Sequence, residues 1–215
     1  MTVNYNYLPI ILPWCLFLIS AFTQPPEWLK PRNKARKLWV QTHMLAVLPA
    51  TIIAVALQTH PWYANNIPAT AGASILTYVY IQASCTDMQY RKASESHLMY
   101  GWALFVVTAA IYHDTNTVAS SLAALFLMAL TRRWWAGDAT ALCVAITCVS
   151  PILIANPESM VAFGASMLFV VITALITAVL SSSKKPVKIP LIPIALAPFL
   201  LTPAIYTLIP AMVQA

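Results

Sequence analysis

The sequence predicts an all-α polytopic membrane protein: a single domain over residues 1–215, with about eight transmembrane helices and both termini on the outer side. Three observations carry that prediction. The chain is 60% hydrophobic and only 8% charged, with a mean hydropathy of +0.74, far from the balance of a soluble chain. Apolar segments of about 15 to 23 residues recur along its length with short polar stretches between them, leaving no room for a separate soluble domain. Every lysine and arginine falls after an odd-numbered segment.

The first segment, 5–22, has no basic residue before it and positive charge after it, at Lys30 to Lys37. That is the pattern of a retained first helix with its N-terminus outside, not of a cleaved signal peptide. The second and third cover 38–57 and 67–86, the fourth and fifth 97–112 and 116–131. The last two are short against a hydrocarbon core of about 30 Å. Charge nevertheless favours eight crossings, because if the fifth failed to cross, Arg132 and Lys184 would be stranded outside. The sixth covers 138–155 and the seventh 159–180, where "VAFGASMLFVVITALITAVL" is apolar all round, unlike the alternating strands of about 10 residues in a barrel. The eighth, 189–211, contains Pro193, Pro198, Pro203 and Pro210. Each proline removes a backbone donor and crowds the preceding turn, so a kinked helix is expected.

With eight crossings, the clusters at Lys30–Lys37, Arg91–Lys92, Arg132–Arg133 and Lys184–Lys188 share one side, which the positive-inside bias makes the cytoplasm. The opposite loops, "HPWYANN", "HDTN" and "NPES", have none. The net charge of +6 therefore reflects orientation in the lipid, and no nucleic-acid partner is expected. The loop "TQPPEWLKPRNKARK" reads as a basic cytoplasmic connector, either simply solvated or in contact with anionic lipid. Cys15, Cys85, Cys143 and Cys148 form no CxxC pair and read as small buried residues, with no disulfide framework or metal site.

Among the acids, Glu27, Asp114 and Glu158 fall in connectors and read as hydrated surface charge. Asp87 closes the third segment and Asp138 opens the sixth, so the topology brings both to the cytoplasmic boundary at one depth. Each has a plain alternative. Asp138 before "ATALCVAI" reads as a helix N-cap, and Asp87 as an ion-pair partner of Arg91 and Lys92. Two carboxyl groups brought close have a chemical use, because repulsion keeps both from ionising. One then holds the proton while the other activates water against a peptide carbonyl. Such a pair titrates as a unit.

The residues around these acids resemble type IV prepilin peptidases. "TDMQYRKASESHLMYGW" is similar to the family segment in which an aspartate precedes a basic pair at a cytoplasmic helix end. "WAGDATAL" resembles its GxGD motif, and "KKPVKIPLIPIAL" the basic, proline-containing lead-in to its last helix. The similarities keep the family's order and cover about half the chain, from Cys85 to Leu196. Departures are Trp135 at the first glycine, Thr140 where the family usually has lysine, "RKASES" after the first aspartate and "IPLIP" without a Phe-Gly pair. The resemblance implies a multi-pass protein of the bacterial inner membrane. It would be an aspartic endopeptidase with Asp87 and Asp138 catalytic, cutting the basic leader from prepilin or pseudopilin substrates at the cytoplasmic face. Gly137 would let the substrate backbone approach closely. The cysteine-rich domain of larger relatives is missing, so no N-methyltransferase activity is expected, and no cofactor or metal follows from the pair. A reading from another class stays open: a non-enzymatic membrane subunit of a pilus or secretion assembly, or a small transporter, in which the acids are caps, ion pairs or a proton relay.

Other polar residues carry weaker expectations. Glu95 and His97, two apart, point to different helix faces and make a poor metal pair. His97 reads as a polar residue opening the fourth helix, near the acids. His43 and His60 read as packed or interfacial, and Trp134 and Trp135 as interface anchors or cleft walls. Gln41, Gln82 and Thr86 either place a substrate or bond between helices.

Overall fold

The computed structural model describes residues 7–29, 32–133, 136–155, 157–181 and 190–213. Its elements are α1 (Leu8–Phe22), α2 (Arg32–Gln58), α3 (Pro61–Ala64), α4 (Ile67–Tyr90), α5 (Glu95–Ile111), α6 (Thr115–Thr131), α7 (Ala136–Ala155), α8 (Pro157–Ser181) and α9 (Leu191–Val213). The fold is all-α, with no strand among the described residues. Each apolar segment of the sequence coincides with one helix, and α3 is an added turn inside "HPWYANN" that starts on a proline, whose fixed φ suits a first helical position. Among the described residues two helices, α2 from Asn33 and α7, are long and apolar enough to cross a membrane by length and composition. Trp134, Trp135 and Lys184 to Lys188 lie outside the described residues.

Local chemistry explains the helix ends. Asn66 caps α4 by accepting the Ala69 N–H at 3.2 Å, with proline in the turn that follows. Asp114, expected to be bare surface charge, instead caps α6: Oδ1 accepts the Thr117 N–H at 3.0 Å and Oδ2 the Thr117 hydroxyl at 2.6 Å. Asp114→Ala should therefore cost about 1 kcal/mol of stability, read as a lowered melting temperature in detergent. At the start of α2 the basic residues Lys34, Arg36 and Lys37 already belong to the helix, where they were expected to lie in the connector before it.

Prolines inside helices leave carbonyls without their N–H partner, and side chains compensate. Pro13 frees the carbonyl of Pro9, which accepts the Ser74 hydroxyl of α4 at 3.1 Å and ties α1 to α4. Pro151 frees that of Thr147, which accepts from the Ser150 hydroxyl at 2.7 Å. The four prolines of the last segment all lie within α9, a single helix from Leu191 to Val213.

The centre of the bundle is α4, which packs against α1, α2, α5, α7 and α9. Its first turns are a buried run of small residues, Ala69 to Ser74, so neighbouring backbones come close. The closest approach is at Gly72, where a Cβ would lie 2.1 Å from the carbonyl oxygen of Cys148 on α7. Around α4 the core collects Leu12 and Leu16 of α1, Val47 of α2, Phe105 of α5, Val144 and Val149 of α7, and Leu196 and Phe199 of α9. The helices bearing the two candidate acids are thus locked directly together, and α9 packs against both.

Candidate active site

Asp87 lies in the last turn of α4, because "CTDMQY" contains no breaker and the helix runs on to Tyr90. Arg91 then closes it in the left-handed region, φ 55° and ψ 35°, its N–H donating to the Asp87 carbonyl at 2.9 Å. Asp138 lies in the first turn of α7, past the capping position, since α7 already begins at Ala136. It sits at the positive end of the helix dipole, the favourable end for a carboxylate.

The two side chains open into one cleft of about 410 Å³. Asp87 is 7% exposed and Asp138 half-buried, and their carboxyl groups are close enough to repel each other. The Asp87 carboxylate accepts the backbone N–H of Ile192, in the first turn of α9, at 3.2 Å. Three helices, α5, α7 and α9, begin at this cleft and direct the positive ends of their dipoles towards it. Arg91 and Lys92 stand on its wall beside Glu95, which pairs with Arg132 at 2.8 Å, and Trp28 of the α1–α2 connector lines it too. The connectors after α1, α4 and α6, each carrying basic residues, therefore meet at the same end of the bundle.

Gly137 lines the same cleft, and no atom of the other described residues lies within 4 Å of where its Cβ would be. No packing among the described residues demands glycine there, and the open space belongs to the cleft. Thr140, in the lysine position of the family motif, is 1% exposed and donates its hydroxyl to the Ala136 carbonyl at 2.9 Å, so it serves its own helix turn.

The remaining candidates lie elsewhere. His97 bonds Thr23 Oγ1 through Nε2 and Ser94 Oγ through Nδ1, each at 3.1 Å, and packs edge-on against Trp39 with ring centroids 4.6 Å apart. His43 is 2.6 Å from the Tyr78 hydroxyl and 5.0 Å, centroid to centroid, from His97. His43 and His97 thus form a buried polar cluster between α1, α2, α4 and α5 and do not line the aspartate cleft. Gln41 is exposed and Gln82 buried, and Thr86 spends its hydroxyl on the carbonyls of Gln82 and Ala83 within α4. Among the described residues, no three His, Cys, Asp or Glu side chains gather as a metal ion would require.

The contact that sequence reasoning does not reach is Ile192 on Asp87. Its only signal is "KIPLIP", a proline-flanked helix start whose first-turn amides have no partner within the helix. Compared with protein-family models, curated proteins and solved structures, the chain matches none.

Proposed function

We propose that the chain is a membrane-embedded aspartic endopeptidase of the type IV prepilin peptidase kind. Asp87 and Asp138 are its catalytic pair, and it cuts the basic leader from prepilin-like substrates at the cytoplasmic face of the bacterial inner membrane. One observation carries the reading: two acids 51 positions apart in sequence, as 138 − 87 gives, share one cleft and one electrostatic environment at the end of the bundle. In the peptidase reading the pair shares a proton. The ionised member takes a proton from water, whose oxygen adds to the scissile carbonyl while the other member protonates the carbonyl oxygen. The member that took the proton from water then gives it to the leaving nitrogen as the C–N bond breaks, and the other regains its proton from a hydroxyl of the tetrahedral intermediate as the new carboxyl group forms.

Support for the bilayer comes from the outer surface. Val161, Leu168, Phe169, Leu175 and Val179 on α8, and Leu45, Leu48 and Ile52 on α2, are all exposed. A soluble monomer seldom leaves so much large apolar surface uncovered. The eight longer helices are the spans, both termini lie outside, and the cleft faces the side on which the basic connectors meet.

The proposal is tested by following conversion of a co-expressed prepilin to its mature form with wild-type chain and with asparagine at position 87 or 138. Unchanged processing by either variant sinks it. Gly137 supplies a second test, because its role in this reading is access and not folding. Gly137→Ala is expected to leave the melting temperature unchanged or slightly raised, since alanine is the better helix former by up to about 1 kcal/mol. Cleavage should fall by about ten- to a hundredfold as the substrate backbone is held off the pair. Equal loss of folding and activity would instead make Gly137 structural.

A further inference from the structure

The last helix reaches the cleft with a backbone group, not a side chain. Ile192 is 3% exposed, packed in the central core, and its N–H points at Asp87 Oδ2 from 3.2 Å. An amide in the first turn of a helix has no carbonyl to bond within that helix. Pro193, next in the chain, has no N–H at all. The first turn of α9 is therefore poor in donors, and the one at Ile192 is committed to an acid on another helix. That acid is nearly enclosed, and α9 packs against both α4 and α7.

We propose that the Ile192 amide is a positioning group for the aspartate pair, fixing the Asp87 carboxylate at the cleft so that it faces Asp138. This rests on the peptidase reading above. The physical case is that an aspartate side chain turns freely about its two torsions unless something holds it. Here burial restricts the side chain, and a hydrogen bond from a helix start fixes one oxygen. That leaves the other oxygen for the shared proton or for water. A donor carried by the backbone of a core-packed turn cannot swing away as a lysine or arginine would. Among the described residues, the charged side chains at the cleft besides Asp87 are Asp138 of α7, Arg91 and Lys92 after α4, and Glu95 of α5 with its partner Arg132.

The test replaces the amide alone. An α-hydroxy acid with the isoleucine side chain, placed at position 192 by nonsense suppression, turns the N–H into an ester oxygen and keeps every packing atom. Isoleucine itself, reinstalled at 192 by the same suppression and so restoring the N–H, is the control. In proteoliposomes with a prepilin substrate, the ester variant is expected to lose about tenfold in kcat with KM within about twofold. The chain with isoleucine reinstalled at 192 by the same suppression should match wild type in both. A double-variant cycle adds a readout independent of catalysis: the ester should lower the melting temperature in the wild-type background and have little effect in Asp87→Ala.

Outcomes separate cleanly. A wild-type chain that does not cleave, or an Asp87→Asn variant that does, sinks the peptidase reading, while the cycle still decides whether the contact exists. Cleavage that requires both acids, with an ester variant whose kcat equals that of wild type, overturns the positioning role alone. So does a cycle with no coupling.

Discussion

Asparagine at position 87 or 138 is expected to abolish leader cleavage, with a loss of at least about a thousandfold, while leaving the fold intact. The substitution is nearly isosteric, so no cavity opens and no packing is lost. At position 87 the amide oxygen of asparagine still accepts the Ile192 N–H, so the one contact that fixes the side chain survives. At position 138 the side chain is half-buried at the cleft, and a neutral group there relieves the repulsion from Asp87. Stability should therefore hold or improve slightly, and lost activity cannot be blamed on unfolding. What goes is the capacity to share a proton, because an amide neither takes one from water nor gives one to the leaving amine. The double variant should be no worse than either single one, since two groups acting as one unit are not additive. Additive partial losses would mean that each acid contributes separately, as caps or ion-pair partners do, and would turn the reading towards a non-catalytic membrane subunit.

Most of the helical architecture was legible because apolar length is a strong signal and the breaks between segments are chemically plain. The start of α6 lies just after Asp114, the end of α4 just before the doublet Arg91–Lys92, and the start of α7 beside Gly137. The juxtaposition of Asp87 and Asp138 at one end also followed, from counting crossings. Harder to read were features set by three-dimensional neighbours. Whether Asp114 would face water or bond Thr117 depends on how the chain turns between α5 and α6, and a hydrophilic connector looks the same either way. His43 and His97 are 54 positions apart, as 97 − 43 gives, and meet only in the folded bundle, where both rings pack edge-on against Trp39 of α2. The Ile192 bond is illegible for a different reason: a backbone amide has no residue identity, and any amino acid except proline would supply it. Even the glycines divide this way. Sequence gives Gly137 a role from its place beside an acid, whereas Gly72 is unremarkable in "PATAGAS" until α7 is seen lying against it.

Gly72→Ala is the substitution expected to damage the fold most for the fewest atoms. The added methyl carbon would lie 2.1 Å from the carbonyl oxygen of Cys148, 3.0 Å from its carbonyl carbon and 3.3 Å from its Cα. All three are backbone atoms inside a helix, so no side chain can rotate out of the way. The two helices must separate or slide, along an interface where Val144, Cys148 and Val149 are fully buried or nearly so. Overpacking a core costs about 1–3 kcal/mol where side chains can adjust, and a clash with backbone belongs at or above the top of that range. The same displacement reaches the cleft, because α4 ends in the turn of Asp87 and α7 begins in the turn of Asp138. Cleavage should therefore fall together with the melting temperature, in contrast to Gly137→Ala, where only cleavage falls. Gly101 and Gly164 grade the effect. At Gly101 the nearest atom is a methyl of Val79 at 3.2 Å, which can yield, and at Gly164 nothing lies within 4 Å. Melting temperatures of the purified alanine variants should fall in the order Gly72, then Gly101, then Gly164, the first by far the largest. A Gly72→Ala chain that melts like wild type would mean that α4 and α7 do not touch there. The common seat of the two acids would then lose the contact that holds it together.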